Sequence, residues 1–99
     1  MNMQALMRQA QNMQKEITKA KEEIDKTVFE GKSSLVVVTV NGKKEVLSIK
    51  FSDGVKDLMD DLSMLEDMIL LALNDAFSRV DKFTNEKMGK YTNMMPGLF

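Results

Sequence analysis

The sequence has no cysteine and no histidine. The first absence removes disulfides and thiolate metal sites. The second removes the commonest general base and the commonest metal ligand. Proline occurs once, at Pro96, so no residue before it need break a helix. The longest apolar run, Met68 to Leu73, falls far short of the ~20 residues needed to cross a bilayer. Met1-Asn2-Met3-Gln4 lacks the basic and continuous apolar regions of a signal peptide. No paired carboxylates, lysine or serine sit in a recognisable catalytic constellation. The expectation is a soluble cytoplasmic protein that is not an enzyme, with no catalytic residue, metal, cofactor or small-molecule substrate.

Methionine and helical periodicity are what the chain has in quantity, and its 99 residues fit a single domain, 1–99. From about 2 to 26, Met3, Leu6, Ala10, Met13, Ile17, Ala20 and Ile24 are spaced alternately three and four apart. Gln, Lys, Glu and Asn fill the gaps, which makes a narrow heptad seam. Such a seam suits packing against a helix better than packing on a sheet. At 1.5 Å per residue the helix is roughly 38 Å long. The methionines read as core side chains.

Between about 27 and 51 the composition turns β-branched. Leu35-Val36-Val37-Val38-Thr39-Val40 is followed by the hairpin signal Asn41-Gly42, and Glu45 to Phe51 returns. Gly31-Lys32-Ser33-Ser34 marks an earlier turn, so Thr27 to Glu30 supplies a third strand of an antiparallel meander. Val36, Val38 and Val40 share one face; Leu35 and Val37 share the other. Both faces are apolar, which asks for cover on both sides.

Ser52-Asp53-Gly54 reads as a turn, and Asp57 to Ser63 as a short helical turn. A second helix is expected from about 63 to 91, opened by a Ser63–Glu66 capping box. Asp60, Asp61, Glu66 and Asp67 then lie at its positive dipole end, which is reason enough for them without a bound cation. Met68 to Leu73 is apolar all round and must be covered on several sides. A flexible tail, 92–99, ends the chain. The fold class is α+β: long helix, three-stranded antiparallel sheet, long helix. Helices of this length overhang one small sheet and cannot bury their apolar faces within a single chain, so a homodimer is expected.

Charge is unevenly placed. Residues 1–21 hold Arg8, Lys15, Lys19 and Lys21 against Glu16, and residues 79–99 hold Arg79, Lys82, Lys87 and Lys90 against Asp81 and Glu86. These ends carry +5, residues 22–78 carry −6, and the chain −1. If the helices run antiparallel, an acidic body bears a basic arm. Lys and Arg at an arm tip suit a phosphate ladder, and the amides opening the first helix add a positive dipole end. A solvated helix face explains the same lysines without a ligand.

Several segments, in order and spacing, resemble the YbaB/EbfC family of bacterial nucleoid-associated proteins. They are Met7-Arg8-Gln9-Ala10-Gln11-Asn12-Met13-Gln14, Leu35 to Gly42, Met64-Leu65-Glu66-Asp67, Ala72-Leu73-Asn74-Asp75-Ala76, Lys87-Met88 and Pro96-Gly97-Leu98-Phe99. The resemblance implies a tweezer-like homodimer that binds double-stranded DNA through helical prongs, in the nucleoid, influencing nucleoid organisation or gene expression. The expected phosphate contacts are Arg8, Lys15, Lys19, Arg79, Lys82, Lys87 and Lys90. Asn74-Asp75 is expected to hydrogen-bond at a helix or dimer junction instead. The competing reading is a dimeric protein-interaction scaffold whose Met-rich grooves take partner helices, with DNA affinity incidental.

Overall fold

A computed structural model describes residues 2–94. Its elements are α1 (Met3–Lys26), β1 (Val28–Ser33), β2 (Val36–Asn41), β3 (Val46–Phe51), a 3-10 turn (Asp53–Leu58) and α2 (Leu62–Met94). The chain spans 71 × 20 × 14 Å with a radius of gyration of 19.5 Å, against the roughly 13 Å of a compact domain this long. It is a rod with a sheet at one end.

The sheet is an antiparallel meander in the order β1-β2-β3. Cross-strand partners share a face, so Phe29, Gly31 and Ser33 of β1 and Phe51, Ile49 and Val46 of β3 lie on the side of Val40, Val38 and Val36. On that side the first half of α2 packs, and Val36, Val38, Val40, Ala72, Ala76 and Val80 form a buried core. The second half of α2 leaves the sheet and runs antiparallel along α1. There Ile17, Ala20, Ile24, Met88 and Tyr91 form a second core. The Phe29 and Phe83 rings meet edge-on at 5.4 Å and connect the two.

Four sequence expectations are corrected. Gly31 sits inside β1, not in a turn; a Cβ there would lie 2.2 Å from the Ala72 carbonyl oxygen, so only glycine lets α2 approach. The turn falls instead at Ser34-Leu35, with Ser34 in the left-handed region (φ 49°), which takes Leu35 out of the strand. The helical turn before α2 occupies Asp53–Leu58, earlier than expected. Helix α2 opens one residue before Ser63, and its cap is Asp61, whose Oδ1 accepts from the Met64 amide at 3.0 Å. Finally, 92–94 continue α2, so the expected tail is helical there; 95–99 lie outside the described residues.

Cover is incomplete. Ala72 is buried and Met68, Ile69 and Leu73 are half-buried, but Leu70 and Leu71 remain exposed. The α1 seam is packed only from Met13 onward, with Met3 70% and Leu6 41% exposed.

Candidate nucleic-acid interface

Helix α1 opens with Asn2, whose Oδ1 accepts from the Gln4 amide at 3.0 Å, so one first-turn donor is already used. Arg8 and Lys15, seven apart, fall on the side of α1 opposite the Ile17–Ile24 seam, while the Lys19 side chain reaches the edge of the α1–α2 groove; all three are exposed. Arg79, Lys82 and Lys90 lie along one exposed side of α2 in the same way. The seam packing turns α2 so that Lys87 lies between the helices, half-buried.

These cations do not form one cluster. Lys19, Lys87 and Lys90 flank a groove between α1 and α2 that also holds Glu16, Glu23 and Glu86. Arg79 and Lys82 border a second groove against Val28, Phe29 and Glu30 of β1. Arg8 lies further along α1, in a hollow with Gln9, Asn12 and Glu16.

Two of the seven carry partners that sequence spacing did not reveal in full. Lys87 Nζ is 2.5 Å from Glu23 Oε2, and its hydrogen bond and charge hold the Glu23 carboxyl below its ordinary pKa. Lys87 also lies 5.9 Å from the Phe83 ring centre, as Lys90 lies 4.8 Å from that of Tyr91. Arg79 Nε is 3.4 Å from Asp75 Oδ2. That same oxygen accepts from the Lys32 backbone amide at 3.0 Å, and this hydrogen bond is the first cause of a lowered Asp75 pKa. Asp75 thus joins α2 to β1, the junction role its sequence position suggested. The Asp75–Arg79 pair was legible from i, i+4 spacing. Glu23–Lys87 and a Lys44–Asp81 pair at 2.7 Å depend on how the elements pack.

The five lysines and two arginines present donors at a solvent-facing surface, and the interleaved glutamates lower its net positive charge. Chemically, such donors can draw an anion by Coulomb attraction, which carries no base information. Among the described residues, no group of three or more His, Cys, Asp or Glu is arranged to hold a metal ion, and no helix is long and apolar enough to cross a membrane.

The family model described as the YbaB/EbfC DNA-binding family matches residues 1–95. The chain belongs to that family. A nucleoid-associated protein of Ligilactobacillus salivarius is 44% identical over 99% of this chain and 95% of its own length. One from Streptococcus thermophilus is 44% identical over 97% of this chain and 98% of its own, and one from Enterococcus faecalis is 39% identical over 97% and 93%. A crystal structure of an uncharacterised protein from Helicobacter pylori superposes with a TM-score of 0.69 at 25% identity, covering 96% of this chain and 98% of that one. This YbaB/EbfC chain therefore has the helix–sheet–helix α+β fold with relatives matched along nearly its whole length.

Proposed function

We propose that this YbaB/EbfC protein binds double-stranded DNA as a tweezer-like homodimer and acts in the nucleoid, on its organisation or on gene expression. The observation that carries the reading is the segregation of charge along the rod: residues 1–21 and 79–99 hold +5, on and around the α1–α2 arm, while residues 22–78 hold −6. Arg8, Lys15, Lys19, Arg79, Lys82, Lys87 and Lys90 would contact phosphates. The family membership and the printed names of the relatives support the same reading.

The dimer rests on exposure. The chain presents 7297 Å² of accessible surface, against about 5,700 Å² for a compact monomer of its mass. Part of the excess is the apolar surface of Leu70, Leu71 and β3. Light scattering should give twice the 11.2 kDa chain mass.

A fluorescence anisotropy titration against salt tests the DNA contacts. Replacing Arg8 and Lys15 together by Ala should weaken binding and reduce the slope of log affinity against log salt by about two. An unchanged slope would remove those residues from the interface. The exposed Met3, Leu6 and Met7 favour a second reading, an interaction scaffold. It predicts DNA affinity that disappears at physiological salt.

A further inference from the structure

Helix α1 runs well beyond its own packing. Among the described residues its core contacts begin at Met13, yet the helix starts at Met3, and every residue from Met3 to Asn12 is exposed. A helical end without tertiary packing is held by propensity alone and frays in water. Met3, Met7 and Ala10, four and three apart, form one apolar stripe along it, with Met3 70% and Met7 60% exposed. Seven-residue steps keep to one side of a helix, so Met7 lies in line with Gln14 and Lys21. Lys21 lines, with Ile24, Met88, Gly89 and Thr92, the groove on the other side of the α1–α2 pair from Lys19 and Lys87. The bare stripe of α1 and the last turns of α2 therefore open on the same side.

Helix α2 leads straight toward this stripe. Its course is described to Met94, and the five residues that follow, Met95-Pro96-Gly97-Leu98-Phe99, include three that are large and apolar. Because the helices are antiparallel, a chain leaving α2 travels toward the start of α1. From Met13 back to Met3 the helix axis covers about 15 Å, and five extended residues reach about 17 Å. Pro96 has no amide hydrogen to give the Thr92 carbonyl, which favours an extended path over a further helical turn.

We propose that Met95–Phe99, which lie outside the described residues, dock along this stripe and seat Leu98 and Phe99 on Met7 and Met3. The chain's own segment is the occupant because it starts where the packing of α1 stops and its reach matches the bare length. Joined to α2, it meets the stripe at an effective concentration on the order of millimolar, which a separate molecule must exceed. Docking turns Met3–Asn12 from a fraying end into part of the arm.

The chain has no cysteine, so introduced pairs report cleanly. Met7→Cys with Leu98→Cys, oxidised with diamide and run on non-reducing gels, should close a disulfide within one chain. Ala5→Cys with Leu98→Cys should not, because Ala5 lies at almost the same height on the opposite side of α1. A cross-link between chains gives the stripe to a second copy and overturns the inference, as does failure of the Met7 pair or equal closure through Ala5. Amide exchange followed by NMR gives a reading free of introduced cysteine. Leu98→Ser combined with Phe99→Ser should speed exchange of the Met7–Asn12 amides roughly tenfold or more, while the Ile17–Ile24 amides keep their protection. The second group reports an intact fold. Unchanged exchange at Met7–Asn12, or an equal loss in both groups, overturns the inference.

Discussion

Lys87 Nζ and Glu23 Oε2 are 2.5 Å apart, which ties α1 to α2 and places a carboxylate beside an expected phosphate contact. The lysine cannot serve both anions fully. Replacing Glu23 by Gln removes the competitor while keeping most of its shape. On the proposed DNA reading, Glu23→Gln should tighten DNA binding and steepen the salt slope by about one contact's worth. A titration in which Glu23→Gln binds no tighter than the parent would place Lys87 outside the interface.

Two glycines should respond oppositely to the same substitution. A Cβ at Gly31 would fall 2.2 Å from the Ala72 carbonyl oxygen and 2.4 Å from the Ala76 amide nitrogen, both backbone atoms that cannot step aside. Gly31→Ala should cost about 3 kcal/mol or more by forcing α2 off the sheet. At Gly89 an added Cβ meets nothing within 4 Å and the residue is helical, so Gly89→Ala should stabilise by roughly 0.5–1 kcal/mol. Urea unfolding followed by circular dichroism reads both.

The two halves of the α1 seam should differ in the same assay. Ile24 is buried beside Met88 and Tyr91, and Ile24→Ala should cost about 2–5 kcal/mol. Leu6 is 41% exposed, and Leu6→Ala should change stability by no more than about 0.5 kcal/mol. A large loss at Leu6 would mean that a partner surface covers it.

Acid should weaken the fold through Asp75 and Glu23. Both carboxyls have a lowered pKa in the folded chain, Asp75 through the Lys32 amide first and Glu23 through Lys87 first. A group lowered on folding contributes its stability above the unfolded value, about 4, and loses it as pH falls through the folded value. Stability attributable to these groups should therefore be flat from neutrality down to about pH 5 and fall below about pH 4. The gap between the parent chain and Asp75→Asn should narrow over that fall. A gap that widens on acidification would have the wrong sign.

The helices and the meander were legible because their signals are periodic and local: the three-four spacing of α1 and the β-branched run of β2. Gly31 was misread because a glycine that admits a neighbouring helix looks, in sequence, like one that makes a turn. The start of α2 was misplaced because Asp61 and Ser63 are both good caps, and only the path of the chain after Leu58 selects the first. The cationic residues could be named from charge alone. Their division between two grooves and the outer side of α1 could not, because it follows from where Lys87 meets Glu23 and Phe83 meets Phe29. The exposure of Phe51, Ile49 and Val46 on β3 was likewise invisible: alternation shows which side chains share a face, not how far a helix extends over it.

Helix α2 runs unbroken from Leu62 to Met94, with neither glycine nor proline before Gly89. It is clamped to the sheet through Val80, and beyond that point it projects about 20 Å as an arm paired with α1. A small tilt at its root is multiplied at its tip, with no joint between to absorb it. In the proposed dimer the gap between the prongs is then set at the sheet, by the packing of Ala72 and Ala76 on Gly31, and a change of one methyl group there is felt at the far end of the arm.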